Sequence, residues 1–253
     1  MAEASRSATE PGRPGLAADA PANAGEDWGW RDETPRHTIA YLLGAVLRAG
    51  PALKPGVRVL DVGCGNGHMC AEYVKTGATV VGFDISQAGV EIARRSVPGA
   101  RFEAMAIRPD ALLRLGEEPF DIVLSTEVVE HLYAPEEWAR CCFNALRPGG
   151  TLIATTPHHG YLKNLVISLT NKWDAHWHPA EEGGHIKFWS ERTLGNMLRE
   201  IGFAELRFSG AGRVPMLWKS MVVAARRPTG ATAGSGATAG TGGSAGSGGS
   251  RAR

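Results

Sequence analysis

The run VRVLDVGCGNG, residues 57–67, decides how the rest of the chain is read. Val57–Asp61 is β-branched and apolar, with Pro55-Gly56 before it and glycines after it, which predicts a short buried strand. Glycines then fall at 63, 65 and 67. They imply a sharp backbone turn, and something that approaches it where a Cβ would stand in the way. A helical pattern resumes at His68. Strand, glycine-rich turn and helix together predict a nucleotide-type site at a strand's carboxyl end.

The spacing is G-x-G-x-G with Asp61 ahead of the first glycine. A dinucleotide fingerprint, G-x-G-x-x-G, cradles a pyrophosphate on a helix N-terminus. A carboxylate at the turn suits a ligand with a cationic amino-acid end instead. An ordinary tight turn is the plain alternative. The run resembles the first motif of the class I S-adenosylmethionine-dependent methyltransferases, close to (V/I)LDxGxGxG. That resemblance implies an α/β, doubly wound, seven-stranded Rossmann-like fold with a lid insert. It also implies S-adenosylmethionine as cofactor, contacted at this turn by Asp61, Gly63, Cys64 and Gly65.

The whole chain bounds the possibilities. Its 253 residues predict one domain of roughly 200 residues plus tails. A hydrophobic content of 43% suffices for a core, and a net charge of +1 offers no general attraction to nucleic acid or acidic lipid. The four cysteines, 64, 70, 141 and 142, form no C-x-x-C pair and read as reduced thiols. No run approaches 18 apolar residues and no hydrophobic signal core opens the chain, so the expectation is a soluble, cytoplasmic protein. Residues 1–27 read as a disordered tail and 228–253 as a flexible Gly/Ala/Ser/Thr tail, with the domain at 28–227. Trp28, Trp30 and His37 lead into helical spacing over Thr38–Ala49, a helix that either lies over the cofactor or packs on the sheet edge.

Beyond the glycine turn come a helix, Met69–Lys75, and a second strand, Ala78–Asp84. A carboxylate ending the neighbouring strand can accept both hydroxyls of a ribose, which gives Asp84 and the adjoining Ile85 a cofactor role; Ser86 is the better helix cap. A helix over Gln87–Ser96 and a third strand over Arg101–Met105 follow. By resemblance, residues just after that strand, Ala106 among them, flank the adenine.

Phe120–Ser125 reads as the fourth strand, and Glu127-Val-Val-Glu130-His131 follows it. If helical, Glu127, Glu130 and His131 share one face. Two carboxylates and an imidazole there could bind a divalent cation, or leave His131 as a general base held by Glu130. The run resembles that of the ubiquinone-biosynthesis O-methyltransferases and of the small-RNA 2′-O-methyltransferases. In the latter, two Glu, the His and a later His hold a metal, which implies Glu127, Glu130, His131 and His185 as ligands for Mg²⁺ or Mn²⁺. Ser125 and Glu127 border the cofactor in the same reading.

A helix over Pro135–Leu146 and a fifth strand over Thr151–Thr156 precede an insert, 158–190, rich in His and aromatics, where a substrate lid belongs. His176 and His178 read as polar loop residues. The apolar stretch at 161–169 could dip into a membrane surface but cannot span one. Ser190 caps a last helix ended by Gly202, and Phe203–Phe208 with Ser220–Ala225 form the closing strand pair, its connection holding Arg213, Trp218 and Lys219. The expected activity is methyl transfer to the hydroxyl of a small aromatic, quinol-like or secondary-metabolite acceptor. An RNA 2′-hydroxyl is disfavoured by charge. The remaining alternative is a non-catalytic protein keeping the fold for interaction.

Overall fold

In the computed structural model, the described residues are 30, 32, 38–177, 180, 183–215 and 217–230; Trp28, His37, His178, the tail 1–27 and residues 231–253 of the other tail lie outside them. The strands that the sequence marks as apolar runs, β1 (Arg58–Val62), β2 (Thr79–Asp84), β3 (Ala100–Ala104), β4 (Phe120–Thr126) and β5 (Leu146–Pro157), pair in parallel. The closing strands, β6 (Ala204–Ala211) and β7 (Ser220–Arg226), form a hairpin, and β7 enters antiparallel to β5. The resulting seven-stranded order is 3-2-1-4-5-7-6. The chain reverses direction of growth between β1 and β4, and a crevice opens at such a switch point outside the strands' carboxyl ends.

Helices cover both faces, so each strand must be apolar on both sides. Leu60 and Val62 point into one core with Val123, Leu152 and Ala154, beneath α4 (Ala111–Leu115), α5 (Pro135–Ala145) and α7 (Glu191–Ile201). Val59, Ile122, Leu124 and Ile153 point the other way, beneath α1 (Ile39–Ala49), α2 (His68–Val74) and α3 (Gln87–Ser96). Asp61 alternates onto this second face, which places a carboxylate inside an apolar layer. Trp138 of α5 is fully buried in the first core. Truncating a core residue such as Leu60 to Ala costs about 2–5 kcal/mol.

Ser86 caps α3 by accepting from Gly89 N, and Ser190 caps α7 in a reciprocal box with Thr193. Gly202 ends α7 at φ 116°, which a β-carbon would disfavour. The short α4 was not anticipated: five residues between Asp110 and Gly116 are too few for a periodic signal. The apolar stretch after β5 folds as α6 (Tyr161–Leu169), a helix of the insert. All four cysteines are buried and free.

Candidate active site

The donor side is built from two adjacent turns. Gly63 N and Cys64 N donate to Phe83 O, at 2.9 and 3.0 Å, so the glycine turn is tied to the end of β2. Asp84 completes the tie: Oδ2 accepts Gly65 N at 2.9 Å and Oδ1 accepts Ser86 N at 2.8 Å. A carboxylate at the end of this strand suits a ribose diol. Gly65 adopts φ 51°, and a Cβ there would stand 2.2 Å from Trp30 Cζ2. Trp30 and Asp32, whose carbonyl accepts Asn66 Nδ2 at 3.2 Å, therefore cover the turn. Helix α1 does not lie over it. It packs on the sheet through Leu42, Ala45 and Val46.

Asp61 is buried, its Oδ2 accepting the Cys70 thiol at 3.2 Å. Among the described residues Oδ1 has no partner. Burial pushes the Asp61 carboxyl up to about 6, partly offset by Cys70 and reinforced by Asp84. Such an orphaned acceptor fits the cationic amino group of an amino-acid ligand. Ile85 and Ala106 are half-buried along the crevice, and Met105 N donates to Asp84 O at 2.9 Å. The Ser125 hydroxyl donates to Val62 O at 2.9 Å and accepts Trp138 Nε1 at 2.9 Å. That side chain is committed to the seam between β1 and α5, so only its backbone is left for a cofactor.

The acceptor side differs from the helical expectation. Only Val129–His131 turn, as one 3-10 turn, and Glu127 precedes it at φ 55°. The left-handed residue rotates the Glu127 carboxylate away from its two supposed partners. Its Oε1 accepts Thr155 Oγ1 at 2.8 Å and its Oε2 accepts Ser220 Oγ at 3.2 Å. The Tyr41 hydroxyl stands 3.2 Å from Ser220 Oγ and extends this chain to α1. Burial pushes the Glu127 carboxyl up to about 7, against the two hydroxyls and Lys163.

What gathers instead is a three-residue cluster, Glu130, His131 and His185, with one ligand atom of each within 4.8 Å of the others. Glu130 is fully buried, and neither carboxylate oxygen has a hydrogen-bond partner among the described residues. Burial, then the Glu127 charge, raises its carboxyl well above the ordinary range, against its own backbone N–H and the nearby Thr156 hydroxyl, which stands outside strict hydrogen-bond geometry. His131 Nδ1 lies 3.2 Å from Gly184 O. A carbonyl only accepts, so Nδ1 is the donor of this contact, and Nε2 lies 4.0 Å from Glu130 Oε1. The strand-like segment bearing His185 is stitched on by Ile186 N and Lys187 N, which donate to Glu130 O at 2.9 and 3.0 Å. The His131 and His185 rings are 4.9 Å apart. An orphaned carboxylate beside two imidazoles fits a divalent cation. Of the four ligands implied by resemblance, Glu127 is thus the one the fold turns elsewhere.

Above the cluster, His159, Asn164, Trp173, Asp174, Trp177 and Phe188 line a cavity of about 400 Å³. His159 meets Phe188 edge-on at 4.7 Å, and burial lowers its imidazole to about 4, so the ring is neutral. His176 turns back to Lys172 O at 2.9 Å and serves the loop. Sequence reasoning missed Tyr41, Thr155, Ser220 and Gly184, none of which carries a local signal. Lys163 had one: a lysine inside the apolar run of α6.

Comparison with known proteins accords with this arrangement. The profile of a family described as a methyltransferase domain matches residues 34–206. The ubiquinone biosynthesis O-methyltransferase of Roseobacter denitrificans is 29% identical over 172 residues, covering 67% of this chain and 69% of the relative. That of Ruegeria pomeroyi is 30% identical over 166 residues, covering 65% and 66%. The matches thus span about two-thirds of each relative. An S-adenosylmethionine-dependent methyltransferase from Mesorhizobium loti shares the fold, with a TM-score of 0.55, 22% identity, and coverage of 73% of this chain and 96% of that one. With the family profile running from the lead-in of α1 through the cofactor turns to β6, the chain belongs to the methyltransferase domain family and takes its methyl group from S-adenosylmethionine.

Proposed function

We propose that this enzyme methylates a hydroxyl of a small aromatic, quinol-like acceptor, with Glu130, His131 and His185 holding a divalent cation of the Mg²⁺ or Mn²⁺ kind. The observation that carries the reading is Glu130: a fully buried carboxylate, both oxygens unanswered, between two imidazoles. Leaving such a group uncompensated is costly, and a cation would offset the cost. The relatives are named for O-methylation in ubiquinone biosynthesis, which supports an oxygen acceptor. The aromatic cavity supports a flat ring over a nucleotide chain.

The chemistry divides among the residues. S-adenosylmethionine supplies an already electrophilic methyl group, so the protein mainly has to hold donor and acceptor in line. Asp84, Asp61 and the glycine turn hold the donor; Phe188, Trp173, Trp177 and His159 flank the acceptor ring. The cation supplies positive charge that lowers the pKa of a nearby hydroxyl. Glu127, held by Thr155 and Ser220, is the proton-accepting group nearest the cluster. Removal of metal is the test. EDTA should abolish transfer, added Mg²⁺ or Mn²⁺ should restore it, and Mn²⁺ titration followed by electron paramagnetic resonance should show one site lost in His185→Ala. Full activity in EDTA with no Mn²⁺ bound would leave His131 as a metal-free base.

The outer face of α6 favours one further reading. Tyr161 is 83% and Leu169 77% exposed, and Leu165 and Val166 also face solvent. We propose that this face rests on a membrane surface to collect an acceptor with a lipid tail. Among the described residues no helix is long and apolar enough to cross a membrane. Sedimentation with anionic vesicles, unchanged in Tyr161→Ser/Leu169→Ser, would dismiss it.

A further inference from the structure

On the side of the site formed by α1, α6 and the β6–β7 connection, Lys163, Lys219 and Arg213 lie near one another with no ion pair among the described residues. Lys163 is only 8% exposed, yet its Nζ donates to two carbonyls, His158 O at 2.7 Å and Lys219 O at 3.4 Å, and not to a carboxylate. Lys219 N donates to Gly212 O at 3.2 Å, which brings Arg213 beside it; the Lys219 ammonium lies 5.0 Å from the Tyr41 ring centroid. Among the described residues Lys163, Lys219 and Arg213 form no ion pair, whereas Arg58 and Arg101 are paired with acids. Arg213 stands in the left-handed region at φ 63°, an unusual conformation for a long side chain. Next to Lys163, His158 Nδ1 is buried with no hydrogen-bond partner among the described residues. Glu127 is the acid that acts on Lys163, and two hydroxyls already share its carboxylate.

Burial and Arg213 both push the Lys163 ammonium down, which means that the site holds positive charge at an energetic cost. A buried cation is retained at that cost where a ligand answers it. The floor below is the chain Tyr41–Ser220–Glu127, so the patch borders the acceptor side of the site.

We infer that the acceptor carries an anionic group, a carboxylate or a phosphate, received between Lys163, Lys219 and Arg213 while its hydroxyl lies toward Glu127 and the Glu130 cluster. This rests on the aromatic-hydroxyl reading above and adds to it a charge the acceptor must bear. Lys163 and Arg213 are then binding residues that choose among acceptors, with no part in moving the proton.

Calorimetry on the full chain loaded with S-adenosylhomocysteine and Mg²⁺ tests it with four probes. These are 3,4-dihydroxybenzoate, its neutral counterpart 3,4-dihydroxybenzamide, 3,4-dihydroxyphenylphosphonate, and inorganic phosphate alone. The benzoate or the phosphonate should bind at least tenfold more tightly than the amide, and whichever is tighter distinguishes carboxylate from phosphate. Inorganic phosphate should bind saturably and compete with it. Arg213→Met, at an exposed position, should remove most of the difference while leaving amide binding unchanged; Lys163→Met should do the same where it folds. Equal affinity for the three ring probes, or a charge preference untouched by Arg213→Met, overturns the inference. Phosphate binding that depends on Arg213, without binding of any ring, would instead sink the aromatic reading and keep the anion site.

Discussion

The two halves of the crevice are built on opposite principles. On the donor side every group except one is answered by nearby backbone: Asp84 holds Gly65 N and Ser86 N, and the turn residues hold Phe83 O. On the acceptor side the groups come from distant parts of the chain. Tyr41, Glu127, Thr155, Lys163, His185 and Ser220 meet there, and Glu130, His158 and Thr156 keep buried polar atoms without partners among the described residues. The first region is made before its ligand arrives. The second is left electrostatically incomplete, and such incompleteness marks where ligands complete the structure.

The largest expected effect breaks the acceptor side. If Glu130 holds a cation as proposed, Glu130→Gln weakens that site and should lower transfer on the order of a thousandfold, several kcal/mol of transition-state stabilisation. In metal-free protein the same change should leave melting temperature equal or higher, because a neutral amide replaces a buried acid whose ionisation burial already disfavours. A lower melting temperature with unchanged activity would make Glu130 structural.

The exception on the donor side, Asp61, gives a pH test. Its folded carboxyl sits near 6 and its ordinary value is 3.8, so between those pH values the folded state binds more protons than the unfolded one. Cofactor-free protein should therefore lose stability as pH rises from about 4 to about 6, by on the order of 3 kcal/mol from this group. Asp61→Asn should flatten that limb of a urea-denaturation series. An identical slope in the variant would exclude Asp61 as its source.

Asp84→Ala probes the donor side where it is complete. Losing charge-assisted hydrogen bonds should weaken S-adenosylmethionine by about ten- to a hundredfold, about 1.5–3 kcal/mol. Unchanged calorimetric affinity removes Asp84 from the site. The smallest effect should come from Ser220→Ala, which releases one oxygen of Glu127 but leaves Thr155. A loss of about fivefold in kcat/KM, near 1 kcal/mol, is expected, with KM for S-adenosylmethionine unmoved. An effect on cofactor KM alone would move Glu127 from the acceptor to the donor side.

How much of this was legible in the sequence follows from the distance over which each feature is specified. The strand–turn–helix at 57–74, the acid ending β2 and the Ser190 cap follow from local pattern, a short apolar run, a glycine, a capping hydroxyl, whereas the antiparallel closing strand was implied by the family resemblance. Within the E-x-x-E-H run, Glu130 and His131 come together with His185. Its geometry was read wrongly. Helical spacing assumes αR backbone at every step, and Glu127 departs from it at φ 55°, where Thr155 and Ser220 from two other strands hold the carboxylate.

By itself, then, the sequence determined the layered α/β fold, the donor turn and the residue types of a cation cluster, since these depend on neighbours within a few residues. Only the tertiary structure decided that Glu127 bonds Thr155 and Ser220 instead of joining Glu130, that His131 Nδ1 meets Gly184 O, and that Lys163 lies against the Lys219 carbonyl. Those outcomes depend on which strand ends lie side by side. Residues 41, 127, 163 and 220 share a site because β4, β5 and β7 are adjacent in the sheet and α1 and α6 cover their ends. That adjacency is set by burying two apolar faces at once, which no single stretch of the chain encodes.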